Sequence, residues 1–164
     1  MNGSALLLDK AARLGIWKQL IEGIEAYAEQ IPAHRVTPEL DPDKVRAYLA
    51  AADFERPCDP RQALQFVIDG LWRFQTHTPH PNYYGLFNPA PTTMGITADT
   101  LAAAFNPQLA AWSHSPFAIE VEQHLVRAFG ARFGYDLAST DGVFCSGGAE
   151  ANHTALLTAL AWAC

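Results

Sequence analysis

The chain has 164 residues, of which 49% are hydrophobic and 17% charged, so it is long enough for one globular domain with a core. Its net charge of −6 and its scattered basic residues argue against a general nucleic-acid surface. No apolar run is long enough to span a membrane, and the N-terminal segment lacks the basic start and long apolar stretch of a signal peptide. The small charged fraction predicts a surface that a partner covers.

The first predicted element is an amphipathic helix over residues 9–31, which Pro32 ends. Its apolar residues recur at three- and four-residue spacing and therefore form one stripe. We expect this stripe to pack either on the domain's own core or on a dimer partner. The stripe consists of Leu14, Trp17, Leu20, Ile21, Ile24, Tyr27, Ala28 and Ile31.

Two shorter helices are predicted next, and the same start signal opens both. Asp41 and Asp59 are each followed by a proline, which combines an N-cap side chain with a residue that suits the first helical position. The first of these helices is expected to reach about residue 52, and the second to cover residues 60–74.

A long irregular stretch over residues 76–93 contains four prolines, two histidines and an aromatic group. Long loops of this kind inside compact domains are usually functional or covered by a partner. The alternative is a proline-stiffened connection whose aromatic side chains fill the core. The aromatic group consists of Tyr83, Tyr84 and Phe87.

No metal site is predicted, and the cysteines indicate where the protein resides. His77 and His80 are three residues apart without an evident third ligand, so both are interpreted as loop residues that form hydrogen bonds. Cys58, Cys145 and Cys164 are odd in number and lack metal-site spacing. A reducing, cytoplasmic compartment is the simplest interpretation.

Two helices are predicted in the middle of the chain, over residues 97–105 and from Ser115 to about residue 133. Pro116 again stands at the first helical position, and Gly134 is a natural C-terminal cap. The fold then changes, because an apolar run over 143–145 predicts a short buried strand.

A glycine turn follows this predicted strand and leads into a helix that begins at Ala149. Strand, Gly147-Gly148 turn and helix start together aim backbone N–H groups and the positive end of the helix dipole at one point. The usual ligand of such a turn is a phosphate, although an ordinary tight connection between a strand and a helix gives the same pattern. Glu150 would repel a phosphate, so we expect its carboxylate to face aside. The pattern is neither a P-loop nor a dinucleotide fingerprint.

The single predicted strand and the end of the sequence both bear on how the domain is completed. One strand cannot stand alone. Either the domain is helical with a β-like segment, or the strand belongs to a sheet whose other strands follow residue 164. The chain stops at Cys164 within an apolar helical pattern without a cap, which favours the second alternative and predicts an N-terminal part of a longer protein.

Three segments, taken in order, resemble the group II pyridoxal-phosphate-dependent amino-acid decarboxylases, the relatives of glutamate and aromatic-amino-acid decarboxylase. HPNYYGLF at 80–87 is similar to the family's His-Pro segment with its aromatic pair. WSHSP at 112–116, followed by Glu120 and Glu122, is similar to its Trp-x-x-Ser-Pro segment. GVFCSGGAEAN at 142–152 resembles its phosphate motif, and the resemblance covers about residues 36–164.

The resemblance implies an α/β fold, the fold type I of pyridoxal-phosphate enzymes, of which this chain supplies the first part. Residues 1–92 would be a mainly helical segment that wraps a dimer partner and carries the aromatic loop. Residues 93–164 would begin the large cofactor-binding domain, with its first strand and helix. The implied cofactor-binding residues are Gly147, Gly148 and Ala149, and the implied substrate-side residues are His80, Phe87, Asn88, Pro89 and Gln108.

The implied activity is release of CO2 from an L-amino acid by a cytoplasmic homodimer. Some relatives have Ser where this chain has Ala149, so the backbone would hold the phosphate without that hydroxyl. Leu86 stands where aromatic-amino-acid decarboxylases carry Tyr, which weighs against an aromatic substrate. The family's Schiff-base lysine, its acid at the pyridine nitrogen and its stacking histidine all lie downstream of the matched region. No catalytic residue is therefore expected in these 164 residues, and the chain alone is predicted to be inactive.

Two alternatives to a decarboxylase remain open. The glycine turn would equally suit another fold type I enzyme, such as an aminotransferase or a lyase acting on cysteine derivatives. A non-enzymatic dimerisation or scaffold domain would use the aromatic loop as an interface anchor and leave the glycine turn without a ligand.

Overall fold

The computed structural model describes residues 7–53 and 55–164, and within these ranges it contains six α-helices and one short 3-10 helix. The chain forms two compact units, Met1–Thr93 and Met94–Cys164, which are described one at a time. None of the described helices is both long and apolar enough to cross a membrane. The helices are α1 Lys10–Gln30, a 3-10 turn Ile31–Ala33, α2 Pro42–Leu49, α3 Pro60–Phe74, α4 Thr93–Phe105, α5 Pro116–Arg132 and α6 Gly148–Ala163.

Aspartate caps open the helices of the first unit. The carboxylate of Asp59 accepts hydrogen bonds from the N–H groups of Arg61 and Gln62 at 3.0 and 3.1 Å. Asp41 makes the same kind of cap on α2. Both predicted N-caps are therefore confirmed. Asp9 caps α1 in addition, with its carboxylate 2.8 Å from the N–H of Ala12.

Two helices differ in extent from the prediction. α2 ends at Leu49 rather than near residue 52, because the chain tightens there into a turn in which the N–H of Ala52 bonds the carbonyl of Leu49 at 3.0 Å. α4 begins at Thr93, four residues before the predicted start at Thr97.

α1 packs on α3 through small and polar residues rather than through the whole apolar stripe. Gln19 Nε2 donates to the carbonyl of Arg61 at 3.0 Å and to Gln65 Oε1 at 3.1 Å. The side chain of Ile68 lies directly over Gly23, where a methyl group would approach its Cδ1 to 2.9 Å. The core alternative for the stripe is wrong for Leu14, Trp17 and Ile21, which all stay more than half exposed.

The second unit is organised around the C-terminal end of α5. Gly134 has φ of +83° just past this helix, and its N–H bonds the carbonyl of Ala131 at 3.2 Å, which confirms the predicted cap. Gly130 is buried beneath Thr140, whose side chain leaves no room for a methyl group at that position.

The predicted buried strand over 143–145 is wrong for the described part of the chain. No other described segment pairs with it, and Val143 and Phe144 are 62% and 54% exposed. A strand needs a neighbour to bond its backbone N–H and C=O groups, and here the neighbouring element is helix α5. Contact with that helix is limited to rings and methyl groups, with Phe129 and Phe144 packed edge to face at 6.3 Å. The described residues are therefore helical, and the sheet of the predicted α/β fold is not among them.

Candidate functional site

The glycine turn that precedes α6 leaves a row of backbone donors without a partner. Gly147 is fully extended, with φ −179° and ψ 173°, and the first hydrogen bond of the helix joins the N–H of Ala151 to the carbonyl of Gly147 at 3.0 Å. Within the described ranges no acceptor bonds the N–H groups of Gly148, Ala149 and Glu150, because the first turn of a helix has none of its own.

The space in front of these donors is open. Gly147 occupies the N-cap position and has no side chain that could accept from the amides behind it. A methyl group built on Gly147 or Gly148 would meet nothing within 4 Å. All three predicted cofactor-binding residues are exposed here. Free amides, open space and the helix dipole suit a phosphate group, so the residues fit the phosphate of pyridoxal phosphate.

The Glu150 carboxylate turns back towards the chain that precedes the helix. Its Oε2 accepts a hydrogen bond from the N–H of Ser146 at 2.7 Å and another from the Ser146 hydroxyl at 2.5 Å. These bonds, the hydroxyl's first, hold the pKa of the Glu150 carboxyl below its ordinary value. The carboxylate is therefore ionised at neutral pH and engaged with Ser146.

An open depression of about 510 Å³ lies within the aromatic loop of the first unit. Four of the five predicted substrate-side residues line it together. Gln108 belongs to the second unit, where its side-chain oxygen accepts a hydrogen bond from the N–H of Ala110 at 3.2 Å. The lining residues are Thr78, Pro79, His80, Tyr83, Leu86, Phe87, Asn88, Pro89 and Ala90.

A turn held by Tyr83 gives this depression its shape. The Tyr83 hydroxyl accepts a hydrogen bond from the N–H of Leu86 at 2.9 Å, and the ring covers Gly85 so closely that a methyl group there would lie 2.5 Å from the hydroxyl oxygen. Tyr84 and Phe87 point into solvent instead, and Phe87 is completely exposed. The core-filling alternative for the loop is therefore wrong for these two rings.

His80 lies on the buried side of the depression. Only 6% of it is exposed, and its Nδ1 accepts a hydrogen bond from the N–H of Asn82 at 2.9 Å. Its Nε2 is buried without a hydrogen-bond partner among the described residues. Such a group is costly to leave unsatisfied, so it marks a position where a further partner would be stabilising.

A second histidine, His77, sits at the centre of an aromatic cluster that the sequence did not reveal. It is 2% exposed, and its Nδ1 lies 3.1 Å from the hydroxyl of Tyr27 on α1. Trp72 on α3 and His34 after the 3-10 turn surround the ring, with centroids 5.8 and 6.4 Å away. Both loop histidines thus form hydrogen bonds, as predicted. The described residues include no group of three metal-ligating side chains.

Electrostatics in this cluster disfavour charge on His77. Burial lowers the pKa of His77, and the nearby His34 and His80 lower it further, while a backbone hydrogen bond at Trp72 acts in the opposite direction. Burial likewise raises the pKa of the Tyr27 phenol, and the hydrogen bond from Gln75 partly offsets that effect. The cluster therefore favours a neutral His77, and its ring contacts hold α1, α3 and the start of the loop together.

The Trp-x-x-Ser-Pro segment is tied to the acidic residue that follows it. The indole Nε1 of Trp112 donates to the carboxylate of Glu120 at 2.9 Å, across the start of α5. The Ser115 side chain makes no capping hydrogen bond. Of these two residues, it is therefore Pro116 at the first helical position that favours the start of α5. This contact gives a physical reason for the spacing between the tryptophan and the glutamate.

Comparison with known proteins places the chain beside amino-acid decarboxylases. It is 30% identical over 142 residues to an aromatic-L-amino-acid decarboxylase of Bacillus atrophaeus, a match that covers 86% of this chain and 29% of the relative. It is also 30% identical over 103 residues to L-tyrosine/L-DOPA decarboxylase 2 of Lophophora williamsii, with 63% and 20% covered. A tyrosine decarboxylase of Oryza sativa subsp. japonica matches at 30% over 128 residues, with 76% and 24% covered.

These matches cover only part of each relative. No family model matches the chain. The chain spans less than a third of the length of each of these curated relatives. At about 30% identity, the relatives of this chain are aromatic-amino-acid and tyrosine decarboxylases.

Proposed function

We propose that this chain is the N-terminal portion of a pyridoxal-phosphate-dependent amino-acid decarboxylase, a carboxy-lyase that releases CO2 from an L-amino acid. The observation that carries the proposal is the row of unbonded amides behind the Gly147 N-cap. Decarboxylases that align with most of this chain support the same assignment. The fold type I architecture, with its sheet beyond the described residues, is part of the proposal.

In this proposal the backbone of the glycine turn binds the cofactor phosphate. The N–H groups of Gly148 and Ala149 donate to the phosphate oxygens, and Gly147 allows the close approach. Ala149 has no hydroxyl, so the amides and the helix dipole supply the whole interaction. Pyridoxal phosphate, when bound, supplies the electron sink that receives the bonding pair left by departing CO2.

The loop depression supplies the substrate side. Phe87, Asn88 and Pro89 present apolar and amide surface to the amino acid, and His80 supports this wall from its buried side. The assignment of Gln108 to the substrate side rests on the family resemblance alone. The names of the relatives make aromatic L-amino acids the first substrates to test. Leu86, in place of a family tyrosine, weighs against them, so aliphatic and acidic amino acids belong in the same assay.

A cytoplasmic homodimer completes the proposal. The exposed part of the α1 stripe offers the partner an apolar surface. The three cysteines are free thiols, which suits a reducing compartment. The three lysines of the sequence, Lys10, Lys18 and Lys44, lie outside the matched motifs. We therefore expect the 164-residue chain alone to be inactive.

A matched pair of substitutions at one position tests the phosphate site. Gly148→Pro removes the N–H of Gly148 but suits both the first helical position and the extended residue before it. Gly148→Ala keeps the N–H and adds a methyl group in open space. Loss of one charge-assisted hydrogen bond of about 1.5–3 kcal/mol should weaken pyridoxal phosphate binding about 10- to 100-fold in the proline variant. The affinity of the alanine variant should match that of the unmodified protein in calorimetric titrations of the full chain.

The controls separate the alternatives. Pyridoxal, which lacks the phosphate, should bind equally to both variants. Equal binding of pyridoxal phosphate to both variants would contradict the assignment of Gly148. Failure of the unmodified protein to bind pyridoxal phosphate would favour the scaffold alternative. An oxo acid instead of amine and CO2 in the product assay would favour the aminotransferase alternative.

A further inference from the structure

The Ser146 hydroxyl belongs to the residue before the Gly147 cap and is a group that could bond the first-turn amides of α6. Serine is among the residues that most often cap a helix through the hydroxyl, and such a cap bonds the same first-turn amides that a phosphate would use. In this structure that hydroxyl instead donates to Glu150 Oε2 at 2.5 Å. The N–H of Ser146 donates to the same oxygen at 2.7 Å.

This arrangement resembles a capping box that is shifted by one residue. In the motif the glutamate in the third helical position accepts a hydrogen bond from the N–H of the cap residue, while the cap hydroxyl accepts one from the glutamate's own N–H. Here Glu150 bonds Ser146, the residue before the cap, and Gly147 at the cap position has no hydroxyl for the second bond. The contact with Ser146 fixes the chain just before the helix. The N–H groups of Gly148, Ala149 and Glu150 have no acceptor among the described residues.

We propose that Glu150 is a positioning residue of the phosphate site, which holds Ser146 through its N–H and hydroxyl and so keeps the first-turn amides of α6 open to the cofactor phosphate. This inference rests on the proposed function. The inference predicts the direction in which removal of Glu150 changes the affinity for pyridoxal phosphate. A carboxylate beside a phosphate repels it, so a purely electrostatic view predicts that removing Glu150 tightens binding. Positioning predicts that removal weakens binding, because the turn loses its anchor and the Ser146 hydroxyl is released to compete for the amides.

Two substitutions at Glu150 separate these effects in the full chain. Glu150→Ala removes both the charge and the acceptor, whereas Glu150→Gln removes the charge but keeps an oxygen that can accept from Ser146. Glu150→Ala should weaken pyridoxal phosphate binding by about tenfold, since that is the effect of losing about one well-oriented hydrogen bond. Glu150→Gln should restore the affinity to within about threefold of that of the unmodified protein, because the amide acceptor re-forms the anchor.

Glu122→Ala on α5 is the matched control, because the Glu122 side chain makes no hydrogen bond or ion pair within the described ranges. Its affinity for pyridoxal phosphate should be unchanged. Pyridoxal should bind all four proteins alike. Binding of pyridoxal phosphate to Glu150→Ala as tight as, or tighter than, binding to the unmodified protein would overturn the inference while leaving the proposed function intact.

Hydrogen exchange of the Ser146 amide, measured without ligand, provides a readout that does not depend on cofactor binding. The amide should be protected in the unmodified protein and in Glu150→Gln, and it should exchange faster in Glu150→Ala. Equal exchange in all three would overturn the inference even if the affinity fell. If the unmodified protein did not distinguish pyridoxal phosphate from pyridoxal, the proposed function would fail, and the role of Glu150 would fail with it.

Discussion

The glycine turn and the aromatic loop are built in opposite ways. The turn offers backbone N–H groups in open space, and the three residues predicted to bind the cofactor, Gly147, Gly148 and Ala149, are all exposed. The loop offers side chains, and it is anchored by histidines that are almost completely buried. A backbone site tolerates a change of side chain as long as the amide remains. A side-chain site depends on packing and on the protonation of its buried groups.

The largest expected effect comes from adding one methyl group to each region. Gly85→Ala would place a carbon 2.5 Å from the Tyr83 hydroxyl, and relief of that contact breaks the hydrogen bond to the N–H of Leu86. We expect the free energy of unfolding to fall by about 1–3 kcal/mol in urea denaturation. Gly148→Ala adds the same group in open space at the first helical position, where alanine is not disfavoured, and should not lower it by more than about 0.5 kcal/mol. Similar losses in both variants would remove the contrast between the two regions.

A smaller effect is expected from the hydroxyl of Tyr27. Tyr27→Phe leaves the buried Nδ1 of His77 without its partner at 3.1 Å, so the free energy of unfolding should fall by about 1 kcal/mol. Tyr84→Phe is the control, since the Tyr84 ring is 89% exposed. It should be neutral within about 0.5 kcal/mol. Exchange of the His77 amide, which bonds the carbonyl of Val36 at 2.8 Å, should quicken only in Tyr27→Phe.

The smallest effect is a dependence of stability on pH near neutrality, which we expect from His77. Because the pKa of His77 is lowered in the folded protein, the unfolded chain binds a proton first as the pH falls. The stability should therefore be complete above about pH 6.5 and should decline below it, until the pH reaches the lower pKa of the folded state. Urea denaturation at pH 7.5, 6.5 and 5.5 measures this decline.

Two histidine substitutions test whether His77 causes this decline in stability. His77→Gln should reduce the slope of stability against pH. His153→Gln, which removes an exposed histidine on α6, provides the reference slope for this comparison. An unchanged slope in His77→Gln would show that another group is responsible.

Local signals explain what the sequence predicted well. The caps at Asp41, Asp59 and Gly134 depend on residues within four positions of each other, so the pattern and the structure agree. The start of α6 is local in the same sense. The hydrogen bond from Trp112 to Glu120 spans only eight positions and accounts for a spacing that the sequence showed without explaining.

Non-local partners explain what the sequence did not predict. The strand over 143–145 was inferred from its apolar run, but strand pairing needs a second segment that a local pattern cannot supply. The cluster around His77 brings Tyr27 and His34 against Trp72 and His77, which lie roughly 40 to 50 positions later in the chain. The sequence places Tyr27 in the apolar stripe of the first helix, but this pattern does not identify the residues that the stripe contacts. The charge of Glu150 predicts that its carboxylate faces aside, but it does not identify Ser146 as the residue that the carboxylate contacts.

The absence of a capping side chain at Gly147 couples the folding of α6 to what occupies its first turn. A glycine cap stabilises a helix by only a few tenths of a kcal/mol less than a serine or aspartate cap, and a bound anion adds stabilisation of its own. Any ligand that binds only the folded state adds RT ln(1 + [L]/Kd), or about 2.7 kcal/mol at a hundredfold excess over Kd. If the proposed phosphate site is correct, the melting temperature of this segment should therefore rise with the concentration of free anion.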